Sequence, residues 1–187
     1  ELLKKLIVAF IPTGVIGLLA YKFFKSVLLA HDLVVIWSLA IGGIILILFE
    51  MWHREDLDTT EELTRISYKQ AFLVGCFQAI AIIPGVSRSA ASIVGGMLVK
   101  IKRRVIVEFS FMLAVPTMLA ASSLDLLKNY KTLAHSGSVS LLLVGFVVSF
   151  LVAWVSIKWF IGYVQKHTFK SFGVYRIILA VAWFLWR

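Results

Sequence analysis

Cysteine, proline and charge are all scarce in this chain. Its 187 residues include one cysteine, three prolines and only 16% charged side chains, where soluble domains carry about a quarter. The lone Cys76 lies in an apolar run, so an internal disulfide is excluded and redox compartment cannot be read from thiol usage. With 60% hydrophobic residues and a mean hydropathy of +0.94, a water-soluble globular domain is excluded as well. What remains is an integral membrane protein, read here as a single membrane domain over 1–187. Nineteen basic against ten acidic residues leave a net charge of +9. The basic residues stand at the ends of apolar runs rather than on one polar face. They therefore point to membrane topology and lipid head groups, and no nucleic-acid partner is expected.

Five apolar runs are long enough to cross a bilayer, at 6–24, 33–52, 105–124, 139–160 and 172–186, the last somewhat short for the about 20 residues a span needs. Pro12 and Gly14 interrupt the first, Gly42-Gly43 in the second suits close helix packing, and Pro116 falls within the third. Polar connections are expected at 25–32, 53–69 and 125–138. The carboxylates of 53–69 read as a solvated loop rather than metal ligands, ending in a capping box from Ser67 to Gln70. Two more apolar runs, 70–83 and 93–99, are each too short to span. Between them stands Ile83-Pro84-Gly85-Val86-Ser87-Arg88-Ser89-Ala90-Ala91-Ser92. Pro84 and Gly85 break a helix, and Ser87 and Ser89 are good N-caps for a second one.

Charge counting decides how this interrupted stretch sits. If 70–99 enters and leaves on one side, the lysines and arginines at 4, 5, 54, 65, 69, 100, 102, 103, 104, 158, 166 and 170 share that side. Those at 22, 25, 128, 131 and 187 share the other. A full crossing would make the split nearly even. The positive-inside bias thus favours an all-α polytopic protein with about five spanning helices and one re-entrant helical hairpin, its basic side cytoplasmic. Irregular backbone at membrane depth must line protein or a water-filled cavity, so the turn is expected to face a cavity opening away from the hairpin's ends.

Arg88 at such a turn is costly and marks a functional site. A helix N-terminus with free N–H groups at 89–91, hydroxyls from Ser87 and Ser89, and a guanidinium suits a tetrahedral anion, phosphate above all. Ser92 is expected to add a hydroxyl on the same face. Gln78 faces the break, and Arg176 reads equally as a second phosphate ligand or a head-group anchor. Glu108 pairs with Arg88 or Arg176, or sits near the interface. No histidine or carboxylate lies in the hairpin to activate a serine. The Ser-Arg pair invites comparison with the type-2 phosphatidate phosphatase superfamily. That pattern places a histidine and an aspartate where Val94 and Leu98 stand here, so it fails.

A different resemblance holds over most of the chain. The segments 70–78, Pro84-Gly85-Val86-Ser87-Arg88-Ser89, Gly95-Gly96-Met97 and 108–116, with 121–126 and Tyr175-Arg176, resemble the bacterial undecaprenyl-diphosphate phosphatase (bacitracin-resistance) family. The resemblance implies a bacterial inner-membrane enzyme that hydrolyses undecaprenyl diphosphate to undecaprenyl phosphate, recycling the carrier for peptidoglycan synthesis. It implies inverted repeats with paired re-entrant hairpins and an active-site cavity facing the periplasm. It gives Ser87 and Arg88 catalytic roles and assigns Gly85, Ser87, Arg88, Ser89 and Ser92 to the diphosphate. Its partners are a polyprenyl diphosphate lipid, membrane lipids and, in the assembly it allows, a second copy in a homodimer. A divalent cation (Mg2+ or Ca2+) is implied, with its acidic ligands and a catalytic histidine in a first re-entrant segment that nothing in 1–187 matches. The chain is accordingly expected to correspond to the C-terminal two-thirds of such a protein, with no metal ligand of its own. Ala90 and Ser92 stand where the family often has glycine and threonine. Two other readings remain at this point: a polyprenyl-phosphate transporter or flippase, since broken helices and inverted repeats also mark transporters, and a non-catalytic head-group-binding protein.

Overall fold

A computed structural model describes residues 1–23, 32–53, 59–135 and 139–186. Helix α1 (Leu2–Phe23) is followed by α2 (Asp32–Trp52), the shorter pair α3 (Tyr68–Ala79) and α4 (Arg88–Leu98), and then α5 (Arg103–His135), α6 (Val139–Lys166) and α7 (Lys170–Trp186). Four of them, α1, α2, α5 and α6, carry windows long and apolar enough to cross a membrane. The 17-residue α7 is about 25 Å long at 1.5 Å per residue, close to the hydrocarbon thickness. The chain is a polytopic all-helical membrane protein. Residues 25–31 of the break expected at 25–32, the basic Arg54, three acidic residues of the polar loop (Glu55, Asp56 and Asp58) and residues 136–138 lie outside the described residues, while Asp32 begins α2.

Helix α5 is longer than expected. The connection anticipated at 125–138 is helical as far as His135. From Asp125 on, the sequence holds no glycine or proline before Gly137, and leucine, lysine and alanine propagate a helix once it is nucleated. Likewise α6 runs past residue 160 to Lys166.

The hairpin is re-entrant. Eleven residues give α4 a length of about 17 Å, half the hydrocarbon core. Its base is closed by side chain and backbone together. Ser67 and Gln70 form the expected capping box, and Gln70 Nε2 donates to Val99 O at 3.0 Å. Thr60 pairs beside it, accepting from Lys102 N at 3.1 Å and donating to Lys100 O at 2.9 Å. The same end of the molecule gathers the other basic contacts. Lys5 Nζ donates to Thr64 O at 2.7 Å, Lys102 pairs with Glu61 at 2.8 Å, and Arg103 pairs with Glu50 at 2.7 Å. The ends of α1, α2, α5 and the hairpin thus meet on one side, as the charge count requires. The Lys102 ammonium also holds the Glu61 carboxyl below its ordinary range.

Packing depends on small residues, since lipid supplies no hydrophobic force between helices. A Cβ on Gly75 would collide with the Ala9 carbonyl of α1, one on Gly95 with Phe77 inside the hairpin, and one on Gly96 with Ile106 of α5. Gly43 and Gly173 bring α2 and α7 together, each close to the other's carbonyl. The core cluster of Val74, Ile93, Met97, Ile106, Phe109 and Leu113 fills the space between hairpin, α1 and α5.

Candidate active site

The hairpin's tip is built by a short 3-10 turn at Ile80–Ile82, followed by Pro84 and Gly85. Gly85 has φ +89, a left-handed conformation open to glycine, and a side chain there would also meet the Val35 carbonyl of α2. Ser87 then caps α4, its Oγ accepting from Ala90 N at 3.3 Å. The Ala91 N–H is taken by the Ser87 carbonyl. Of the expected amide donors, therefore, Ala90 and Ala91 are spent within the cap. The Arg88 and Ser89 N–H groups at the helix start have no partner among the described hydrogen bonds. The Ser87 and Ser89 hydroxyls stand 3.3 Å apart, beside these amides at the α4 N-terminus.

Around α4 the predicted residues separate onto two faces. Arg88, Ser92 and Gly96 recur every fourth residue and face α5. Arg88 Nη2 donates to Leu113 O and to Thr117 Oγ1, both at 2.8 Å, and to Gln78 Oε1 at 3.2 Å. Its Nε is buried without a partner. Ser92 is fully buried, donates to the Arg88 and Ser89 carbonyls at 3.0 and 3.1 Å, and meets the Ser110 hydroxyl. Its hydroxyl is thus bonded to the backbone of its own helix and to α5. Gln78, 1% exposed, is held by Arg88, Thr13 and Thr117.

The other face holds Ala90, Ala91, Val94 and Leu98, which with Ser87 line a groove of about 460 Å³ against Ile41, Gly42 and Ile45 of α2. Arg176 closes its polar end. Only 5% exposed, it reaches across from α7 to donate from Nη2 to Gly85 O at 2.7 Å and Ser38 O at 3.2 Å, and its Nε is buried and unpartnered. Gly42 makes this reach feasible, because a Cβ there would lie 2.7 Å from Nη2. The groove differs from the cavity expected of the turn. It is almost wholly apolar and runs along the hairpin toward its base at Leu98, since hydrocarbon side chains of α2 and α4 form both walls. Glu108 lies apart from both arginines, 3.8 Å from Arg104.

The described residues near the turn do not fit a divalent cation. Their polar atoms are hydroxyls, an amide and two guanidiniums, whose fixed charges repel one. Among the described residues no three His, Cys, Asp or Glu side chains gather. Several residues escaped the sequence reading: Glu50, buried at the end of α2 and paired with Arg103, and the polar set Thr13, Thr117 and Ser110. Thr13 and Thr117 each follow a proline within a membrane helix. A hydroxyl beside a broken backbone ladder is a legible signal of a polar junction.

The family of bacitracin resistance protein BacA matches residues 1–182. This chain belongs to that family. Among BacA relatives, the undecaprenyl-diphosphatase of Sulfurihydrogenibium sp. is 44% identical over 100% of this chain and 73% of its own length. The undecaprenyl-diphosphatase of Aquifex aeolicus is 44% identical over 98% of the chain and 71% of its own. That of Campylobacter jejuni is 44% identical over 96% and 67%. The BacA match covers both half-helices of the hairpin and α7 as far as residue 182, so every residue placed at the tip and the groove lies inside it.

Proposed function

We propose that this chain is an undecaprenyl-diphosphatase that hydrolyses undecaprenyl diphosphate to undecaprenyl phosphate and inorganic phosphate, and that the α4 N-terminus holds the diphosphate. The observation that carries the site is its composition. Two hydroxyls and two first-turn amides stand at a helix start inside a membrane protein, with Arg88 on one flank and Arg176 on the other. A diphosphate offers two anionic groups to this arrangement, and the macrodipole adds to the attraction. The apolar groove beginning at Ser87 and Arg176 suits the start of a prenyl tail.

In this reading the residues divide the work. Gly85 lets the backbone turn and offers its carbonyl to Arg176. Ser87 and Ser89 donate hydroxyl hydrogens to non-bridging oxygens, and Arg88 neutralises charge that builds as water displaces the leaving undecaprenyl phosphate. Low surrounding dielectric makes each such donor count for more than in water. The residues present do not fit a divalent cation, so no step is assigned to one.

The bacterial plasma membrane is the site of action in this proposal, with the hairpin's basic base cytoplasmic and the tip approached from outside. None of the α6 window is buried within the chain, which leaves its apolar surface to lipid acyl chains or to a second copy. The test is phosphate release from undecaprenyl diphosphate by the full-length protein in proteoliposomes. Arg88→Ala is expected to lower kcat about 10²- to 10³-fold, the usual loss for one charge-stabilising donor. Near-normal turnover would overturn the assignment of Arg88. Labelled lipid crossing the bilayer with no phosphate released would favour the flippase reading instead.

A further inference from the structure

Arg88 makes three contacts through a single nitrogen, and all three partners belong to a polar junction between α1, α3 and α5. The hydroxyl and amide hydrogens of Thr117, Gln78 and Thr13 each have an acceptor here. Thr117 Oγ1 donates to Leu113 O at 2.8 Å, which leaves its lone pairs for Arg88 Nη2 at 2.8 Å and Gln78 Nε2 at 3.4 Å. Gln78 Nε2 also donates to Thr13 Oγ1 at 3.1 Å, and Thr13 passes its own hydrogen to Gly75 O at 3.1 Å. The Gln78 amide is thereby oriented, because a flip would set its NH2 against the guanidinium. Leu113 O takes two of these hydrogen bonds, one from Arg88 Nη2 and one from Thr117 Oγ1.

We infer that Thr117 is a positioning residue for the reaction: its hydroxyl sets where the Arg88 guanidinium stands relative to the α4 N-terminus. This rests on the proposed role of Arg88. Thr117 is well suited to it for two reasons. Its position one turn after Leu113 on α5 lets its hydroxyl bond the same carbonyl that receives Arg88. Its place in the chain, 29 residues from Arg88, means that the guanidinium is referred to a separate spanning helix and not to its own flexible stem. The shortest Arg88 bonds go to this helix, while Gln78 stands further off at 3.2 Å. Thr117 does not line the groove, so its effect on the reaction passes through Arg88, directly and by way of Gln78.

The experiment compares Thr117→Val, Thr117→Ser and Arg88→Lys, singly and with T117V and R88K combined, in the full-length protein hydrolysing undecaprenyl diphosphate. Thermal unfolding in detergent is followed alongside, and Thr117→Ala replaces the valine variant if that one does not fold. Valine keeps the shape and removes the hydroxyl. It is expected to lower kcat about tenfold with KM changed less than twofold, since small displacements of a charge-stabilising group weigh on the transition state. Serine recovers most of the loss. In the Arg88→Lys background, Thr117→Val costs little more, because the partner whose position it governs is already changed. A valine variant within twofold of the parent overturns the inference, as does a serine variant no better than valine or a full additive loss with Arg88→Lys. If Arg88→Ala itself leaves hydrolysis intact, the failure belongs to the proposed site and not to Thr117.

Discussion

The two adjacent glycines of α2 have unlike neighbours, and the difference separates function from stability. A Cβ on Gly42 would meet the far end of the Arg176 side chain at 2.7 Å, while one on Gly43 would meet the Gly173 backbone carbonyl at the same distance. A guanidinium can swing away from a methyl group, whereas two packed backbones cannot. Gly42→Ala is therefore expected to leave the melting temperature near the parent's but lower kcat/KM about tenfold, by displacing Arg176 from the groove's polar end. Gly43→Ala is expected to destabilise by about 1–3 kcal/mol, the usual cost of overpacking, with activity per folded molecule retained. Calorimetry and phosphate release on both variants check the pair. Equal effects on both quantities would remove Arg176 from the site. Ser87 and Ser92 illustrate the same lesson. Both are hydroxyls of one motif, yet Ser87 stands at the open cap and Ser92 is spent on its own helix and on Ser110.

Among elements, the hairpin owes its position to what grips its base. Gln70 bonds to Val99 across it and Thr60 zips against Lys100 and Lys102. Behind that grip lies the Glu50–Arg103 pair, with side chains 7% and 15% exposed. Glu50 also accepts from the Phe169 N–H at 3.2 Å, and Arg103 donates to His167 O at 3.3 Å while resting over the Phe169 ring. One carboxylate thus ties the end of α2 to the starts of α5 and α7. Glu50→Gln removes the carboxylate charge beside Arg103 in a nearly dry setting, and is expected to destabilise by about 3 kcal/mol. Chemical or thermal unfolding in detergent measures this. A loss under 1 kcal/mol would show that the pair is solvated like a surface one.

At the scale of the whole molecule, the re-entrant path makes a prediction about sidedness. Single cysteines replacing Lys69 and Arg104, in a background without Cys76, are expected to react with a membrane-impermeant thiol reagent from the cytoplasmic side. One replacing Asp125, 22 residues into α5 and about 33 Å along it, is expected to react from the outside only. Opposite accessibility of Lys69 and Arg104 would mean that the hairpin crosses the bilayer.

Much of this was legible in the sequence by itself. Apolar length, the Pro84-Gly85 break and the distribution of nineteen basic residues determine a polytopic helical protein with one hairpin. Those signals are local or additive, since a run either is or is not long enough to span, and each charge adds to one side's count. The capping box at Ser67 and the cap at Ser87 were legible for the same reason. Two things were decided only by the tertiary structure. One is which residues of the Ser87–Ser92 motif stand at the α4 N-terminus and which turn to α5, because that depends on how α4 is rotated against its neighbours. The other is what stands beside each arginine. Thr117 and Leu113 reach Arg88 from α5, and Gly85 and Ser38 receive Arg176 from α7. Hydrogen bonds across 25 to 138 residues of chain leave no periodic trace in the sequence, since their geometry exists only when the helices have packed.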